Sequence, residues 1–186
     1  MIFNWYVLWH FFIIVLYLCM IFLFYKFRKN KNLKINLRLN AKDALFALGM
    51  LLIIMALLGI AIYSGVLKPN PAKMDITNLV IAIAYFLLFI SPVEELLFRG
   101  VITHWLVKKT NVFFGLTVSA VIFGAAHLPN GATGINIFYW NWHLAIASGI
   151  SGLFFGATYL KTRSIINPIM LHAASNIVWI LWIGMF

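Results

Sequence analysis

The stretch "ITNLVIAIAYFLLFISPVEELLFRGVITHWLV", residues 76–107, joins a long apolar run to three charged side chains in its second half. A helix rises about 1.5 Å per residue, so about 20 apolar residues cross the roughly 30 Å hydrocarbon core of a bilayer. The stretch is too long for one straight span. Pro92 should either kink the helix or divide it into two pieces just before the paired glutamates.

The rest of the chain is similarly apolar. Of its 186 residues, 64% are hydrophobic and only 10% are charged, which is outside the range of soluble domains. We predict an all-α, polytopic membrane helix bundle of about six transmembrane helices, with no room for a separate soluble domain. The predicted spans are residues 4–25, 44–67, 76–107, 112–128, 143–160 and 164–185. The first lacks a preceding basic segment and a cleavage site, so we expect an uncleaved helix.

The basic residues predict the orientation of the chain in the membrane. Seven Lys or Arg lie within residues 26–42, and the two later connections of this kind contain Lys108, Lys109, Lys161 and Arg163. These three connections should be cytoplasmic, which leaves both termini outside a cell membrane crossed several times. The formal charge of +10 accompanies no nucleic-acid motif, so it indicates attraction to lipid head groups rather than to nucleic acid.

Two segments of the second half have patterns related to packing and to the membrane interface. The loop "NGATGINIFYWNW", residues 130–142, combines turn residues with aromatic rings that favour the interface. It is either an interfacial loop or a gate for substrate. Ser148, Gly152 and Gly156 recur every four residues, which predicts a helix face that another helix approaches closely.

Several polar side chains fall at membrane depth. Each ionisable group there costs at least about 2.5 kcal/mol, so such groups usually face a polar interior. The candidates are Glu94, Glu95 and Arg99 in the third span, His127 in the fourth, and His172 and Asn176 in the sixth. Glu95 and Arg99 are four apart and can form an ion pair, structural or supporting. Glu94 is turned about 100° away on an α-helix and is a candidate general base.

The histidines and the asparagine complete this set. His172 and Asn176 share a helix face, so they form either an interhelical hydrogen-bond pair or a two-donor oxyanion site. His127 ends the segment "FGAAH" and either polarises a water or is a satisfied interior histidine. Measured along each helix from its basic end, Glu94 and His127 lie about 21 and 22 Å deep and His172 about 12 Å. Helix tilt and the interruption of the sixth span at Pro168 leave a meeting of all three possible. The remaining histidines, His10, His104 and His143, fall near span ends and are expected to be structural.

Three segments in this order, "EELLFR" at 94–99, "FGAAH" at 123–127 and "HAASN" at 172–176, resemble the CPBP family of CAAX-type and bacteriocin-processing proteases, also called the Abi family. The resemblance covers residues 76–186 and implies a four-helix protease core, preceded over residues 1–75 by two variable helices and a basic loop. It implies an intramembrane glutamate protease. Glu94 and His127 would then activate water, His172 and Asn176 would stabilise the oxyanion, and Glu95 and Arg99 would orient the site.

The resemblance implies no metal or other cofactor. Two histidines and a glutamate could in principle form a zinc site with an open position, but no His-Glu-x-x-His motif supports this alternative. Cys19 is the single cysteine, so the chain can build neither an internal disulfide nor a thiolate metal cluster.

These patterns favour an endopeptidase acting on a membrane-associated peptide or protein. The alternatives are a non-catalytic bacteriocin self-immunity or scaffold protein of the same fold, and a small transporter, for which no inverted repeat is visible. A bias toward Lys, Asn, Ile and Phe is typical of an AT-rich bacterial genome, which favours pheromone or bacteriocin precursors over prenylated substrates. The substrate, its scissile bond and the oligomeric state do not follow from the sequence.

Overall fold

The computed structural model describes residues 36–69, 74–128 and 141–183, and within these ranges it contains five helices and no strand. They are α1 (Ala41–Tyr63), α2 (Ile76–Lys109), α3 (Val112–Ala126), α4 (Trp142–Thr162) and α5 (Ile166–Trp182). The prediction of an all-helical membrane bundle is confirmed. The first predicted span, 4–25, and most of the aromatic loop lie outside the described residues.

The helices have the length and composition of membrane segments. Three of the described helices, α1, α2 and α4, are long and apolar enough to cross a membrane, whereas α3 and α5 are shorter apolar helices. Large apolar side chains cover their outer surfaces, for example Leu52, Ile60 and Phe113. Such a surface is unfavourable in water and suits a lipid environment.

The second predicted span, α1, packs against α4 and α5. The described residues from Asn36 onward therefore form one compact unit, to which α1 belongs together with the four helices that match the predicted core. The proposed division into residues 1–75 and 76–186 stays a prediction.

Side-chain caps begin four of the helices. The side chains of Asn40, Asp75, Asn111 and Asn141 each accept a hydrogen bond from a backbone N–H of the first turn. Short polar side chains satisfy donors that a helix start leaves free, so these residues determine where α1 to α4 begin.

The longest helix, α2, continues through Pro92. Two π-helical stretches, Phe86–Ile90 and Leu96–Thr103, flank the α-helical turn Ser91–Glu95 that contains the proline. Proline has no N–H to donate to a regular α-helical hydrogen bond. The π-helical stretch Phe86–Ile90 therefore replaces regular α-helical hydrogen bonding just before it. The sequence predicts that Pro92 either kinks the span or divides it. Division is wrong, because the helix is distorted but not interrupted. The paired glutamates lie between the two distortions.

Small residues bring α3 and α4 together. The backbone of Gly124 approaches Ala145 and Gly149, and Gly152 lies against Phe123 and Ala120. The predicted packing role of the small-residue face on α4 is therefore confirmed for Gly152.

Replacing Gly124 by Ala should destabilise the bundle. A Cβ at this position would lie 2.5 Å from the Ala145 backbone oxygen, so the two helices must separate. We expect the free energy of unfolding to fall by about 1–3 kcal/mol. Gly59 on α1 is the matched control, because a Cβ there meets nothing within 4 Å. Thermal unfolding in detergent should show loss for Gly124→Ala and none for Gly59→Ala; equal stability of the two variants would contradict this packing.

Candidate active site

The Glu95 and Arg99 side chains form a buried ion pair on α2. Arg99 Nη1 donates to Glu95 Oε1 at 2.8 Å, and both side chains are almost completely buried. The ion pair expected from the four-residue spacing is confirmed. Arg99 Nη2 also donates to the backbone oxygen of Gly152 at 3.1 Å, which ties α2 to α4.

Three phenylalanine rings surround the Arg99 guanidinium. Its central carbon lies 4.4 Å from the ring centroid of Phe123, 5.2 Å from that of Phe155 and 5.9 Å from that of Phe98. These rings belong to the buried cluster at the centre of the bundle. Cation–π attraction and the Glu95 carboxylate together offset the cost of placing this charge away from water.

The same carboxylate holds His172 of α5. His172 Nδ1 lies 2.8 Å from Glu95 Oε1, and the imidazole stacks on the Phe155 ring with centroids 4.7 Å apart. We assign the hydrogen to Nδ1 of His172. The Glu95 carboxylate, which also accepts from Arg99, has no hydrogen to donate and must be the acceptor. In the neutral ring, Nε2 then carries a lone pair.

His127 carries its ring hydrogen on the same nitrogen, Nδ1. It directly follows the last residue of α3, and its Nδ1 lies 2.8 Å from the backbone oxygen of Phe123. A carbonyl oxygen can only accept, so Nδ1 carries the hydrogen and Nε2 is an acceptor in the neutral ring.

Glu94 faces both acceptor nitrogens. Its Oε2 lies 3.7 Å from His127 Nε2 and 3.8 Å from His172 Nε2. These separations are too long for direct hydrogen bonds and are typical of polar atoms that share a bridging atom. Glu94 Oε2 is buried and has no hydrogen-bond partner among the described residues. Three helices thus bring one carboxylate and two imidazoles around a common point.

Asn176 lies one turn after His172 on α5 and is partly buried. The i, i+4 spacing places its carboxamide on the same helix face as His172. It can therefore reach a group held beside that imidazole.

His172 meets Glu94 although it is fewer residues from the basic end of its helix. Its Nε2 lies 3.8 Å from Glu94 Oε2, so the shorter count along α5 does not separate the two side chains.

Sequence reasoning missed the groups that hold the site together. These are the Gly152 backbone oxygen, the Phe155 ring and the Glu95 contact to His172. For the Gly152 oxygen, the small-residue spacing on α4 did predict that another helix comes close. It indicated helix packing and not a hydrogen bond to the Gly152 backbone.

The described residues contain no group of three or more His, Cys, Asp or Glu side chains arranged to hold a metal ion. Glu94 and the two imidazoles each present an acceptor atom to the same point, which suits them to orienting and deprotonating a water. Such an arrangement supports hydrolytic chemistry.

Comparison with known proteins places the chain in a family. The family described as "Type II CAAX prenyl endopeptidase Rce1-like" matches residues 76–178, more than half of the chain and all of α2 to α4. The chain belongs to this Rce1-like family. The match extends through the Glu94, His127, His172 and Asn176 positions.

A curated relative agrees with the Rce1-like assignment. The "Putative membrane peptidase YdiL" of Bacillus subtilis (strain 168) is 33% identical over 88 residues, which are 47% of this chain and 31% of the relative. The match thus spans less than a third of the relative's length. No solved structure matches the chain. Together, the family and the relative support a CAAX-protease-like membrane peptidase in general.

Proposed function

We propose that the chain is an intramembrane endopeptidase that hydrolyses a peptide bond of a membrane-associated peptide or protein. One observation carries the proposal: buried Glu94 Oε2 lacks a hydrogen-bond partner among the described residues and lies within 3.8 Å of two imidazole Nε2 atoms. A carboxylate so placed can accept a proton from a water whose other hydrogen is held by one of the two imidazole Nε2 atoms.

The attack step follows from these acceptors. Water gives one hydrogen bond to Glu94 and the other to an Nε2 atom, which leaves an oxygen lone pair for the substrate carbonyl carbon. As the new C–O bond forms, the water proton moves to Glu94 and the carbonyl π electrons move onto the carbonyl oxygen. Glu94 then gives this proton to the amide nitrogen, and the C–N bond breaks to yield an amine and a carboxylic acid.

Asn176 and His172 differ as donors to the oxyanion. The Asn176 carboxamide always carries N–H donors, whereas His172 Nε2 carries a hydrogen only after it has taken up a proton. The Glu95 carboxylate, bound to His172 Nδ1, would stabilise the resulting imidazolium. Glu95 and Arg99 are therefore positioning residues in this proposal, since they act on the substrate through His172.

Substituting Asn176 by Ala should lower kcat by about 10²–10³-fold and leave KM nearly unchanged, because the lost donor acts on charge that develops in the transition state. Asn78→Ala is the matched control, since Asn78 is exposed near the start of α2. Steady-state cleavage by the purified variants measures both constants. A rise in KM with unchanged kcat would instead assign Asn176 to substrate binding.

Metal removal should leave the activity unchanged, because in this proposal the Glu94 carboxylate activates the water without a metal ion. Treating the purified protein with EDTA or 1,10-phenanthroline before the cleavage assay checks this. Loss of activity that added zinc restores would favour the zinc alternative, with Glu94 and the two imidazoles as ligands.

The proposed function can be tested without knowing the substrate. Purified protein is reconstituted in vesicles with membrane peptides from the expression host, and new carboxyl termini are identified by mass spectrometry. We expect cleavage products with the wild-type chain and none with Glu94→Gln. Identical products from both proteins would refute the proposed function.

A further inference from the structure

Two buried hydrogen-bond donors on the helices of the site have no partner among the described residues. They are the Ser91 hydroxyl on α2 and the Trp179 indole N–H on α5. Ser91 is completely buried, and Trp179 Nε1 is buried although the residue as a whole is partly exposed. A buried donor without an acceptor is unfavourable, so both atoms are suited to an acceptor that a bound molecule supplies.

The Ser91 hydroxyl does not use the acceptor that a buried helical serine ordinarily finds. Ser175 of α5 is also buried, and its hydroxyl donates to the backbone oxygen of Leu171, one turn earlier, at 2.8 Å. Such bonds within the helix are common for serine. The Ser91 hydroxyl makes no bond of this kind to any described residue, so it remains able to donate elsewhere.

Helix geometry places both donors on the faces that carry the reacting groups. Ser91 and Glu95 are four apart in one α-helical turn, so Ser91 shares the face whose Glu95 carboxylate binds His172. Trp179 lies seven residues after His172 and three after Asn176 within α5, so these three side chains lie along one face of that helix.

The helix α5 runs antiparallel to α2. The helices α2 and α3 meet close to their connection and again, farther from it, where Glu94 faces His127, so α3 reverses the direction of α2. Contacts between α3 and α4 follow opposite orders along the two helices, which is a second reversal. Three residues join α4 to α5, and the two meet again where Phe155 stacks on His172. Three reversals leave α5 opposite in direction to α2.

The two donors therefore lie on the same side of the contact between Glu95 and His172. Ser91 is roughly 6 Å along α2 from Glu95. On α5, Asn176 is roughly 6 Å and Trp179 roughly 10 Å from His172. Ser91 thus lies at the level of Asn176, and Trp179 lies within one further turn. This part of α2 packs against α5, so both donors adjoin the proposed oxyanion donor Asn176.

We infer that the Ser91 hydroxyl and the Trp179 indole N–H form a subsite for main-chain carbonyl oxygens of the substrate, next to the scissile bond. The inference rests on the proposed function and adds how the peptide is held. An indole N–H can only donate, and a serine hydroxyl carries one donor, so both suit a carbonyl acceptor. Every residue of a peptide offers such a carbonyl. The subsite therefore holds peptides of different sequence in the same register.

The substitutions Ser91→Ala and Trp179→Phe each remove one donor and little volume. The purified variants are reconstituted with membrane peptides from the expression host, and each cleavage product is quantified at early times. We expect every product to form about 2–10-fold more slowly than with the wild-type chain, because one neutral hydrogen bond to the main chain is lost. The cleavage positions and the relative amounts of the products should stay the same.

Ser175→Ala and Trp182→Phe are the matched controls. The Ser175 hydroxyl is bonded within its own helix, and Trp182 is exposed at the end of α5. Both controls should form products at the wild-type rate. Thermal unfolding in detergent should be unchanged for Ser91→Ala and Trp179→Phe, because neither substitution removes a hydrogen bond to a described residue.

Three outcomes would overturn the inference. The first is a wild-type rate for either Ser91→Ala or Trp179→Phe. The second is slower cleavage of particular peptides only, which would assign these groups to recognition of side chains. The third is slower cleavage together with lower stability, which would assign them to the structure. A water that joins Ser91 Oγ to Glu95 Oε2, which also lacks a partner among the described residues, would give this third result for Ser91→Ala.

Fluorine NMR follows binding in the Glu94→Gln protein, where no cleavage is needed. The chain is labelled with 5-fluorotryptophan, and the Trp179 resonance is the one that disappears in Trp179→Phe. Adding the same membrane peptides in detergent should shift this resonance, and Ser91→Ala should weaken the shift. An unmoved resonance would overturn the inference. Failure of the proposed function is a different result, because it appears as identical cleavage products from the wild-type and Glu94→Gln proteins.

Discussion

Glu94→Gln is expected to leave the protein folded and to lower kcat by about 10²–10⁴-fold, the usual contribution of a general base. Glutamine preserves the size of the side chain and removes only its capacity to accept the water proton. The fold should tolerate the change, because Glu94 Oε2 makes no hydrogen bond to any residue in the described ranges and Glu94 is partly exposed. Peptide cleavage and thermal unfolding, measured on the same preparation, separate the two effects.

Asp75→Asn is the matched control for this substitution. Asp75 is an exposed carboxylate at the start of α2, and asparagine is an equally good helix cap. This variant should retain both activity and stability. If Glu94→Gln cleaves substrate as fast as Asp75→Asn, Glu94 is not the base.

Arg99→Ala should produce the largest loss of stability. The substitution leaves the Glu95 carboxylate buried without its cation and empties the space between the phenylalanine rings. Breaking a buried ion pair in this way costs about 3–5 kcal/mol in free energy of unfolding. Lys109→Ala is the control, because Lys109 is exposed at the basic end. Thermal unfolding in detergent should show a large decrease for Arg99→Ala alone.

The double variant Glu95→Leu with Arg99→Met separates packing from positioning. Replacing both charges by apolar side chains of similar size is often neutral for stability, so most of the loss should be recovered. Activity should stay low, because His172 Nδ1 no longer has a carboxylate that holds its ring toward Glu94. Recovery of activity along with stability would show that the ion pair serves packing alone.

Local patterns predicted those features that depend on neighbours along one helix. The length of the apolar runs predicted the helices, and the four-residue spacing predicted the Glu95–Arg99 pair and the shared face of His172 and Asn176. The small-residue spacing predicted the close approach of α4 to another helix, which Gly152 makes with α3. Each of these follows from the geometry of a single helix.

Contacts between distant segments could not be predicted in the same way. Glu95 and His172 are 77 residues apart, and no periodicity encodes their hydrogen bond. The rings around Arg99 come from three helices, α2, α3 and α4. The contact of His172 with Glu94 likewise depends on how α5 packs against α2, which no pattern within either helix encodes.

A non-catalytic role makes a different prediction from the same residues. If the chain acts only as a self-immunity or scaffold protein, Glu94→Gln should preserve its protective effect in cells. Loss of protection together with loss of cleavage would instead indicate that any immunity operates through proteolysis.

The central claim is that Glu94 deprotonates a water shared with an imidazole Nε2 atom rather than attacking the substrate itself. A single turnover in ¹⁸O-labelled water, followed by mass spectrometry of the product and of the protein segment containing Glu94, tests this most directly. The account predicts ¹⁸O in the new carboxyl group of the product and none in the Glu94 side chain. Label in the Glu94 carboxyl group would reveal a covalent intermediate and contradict it.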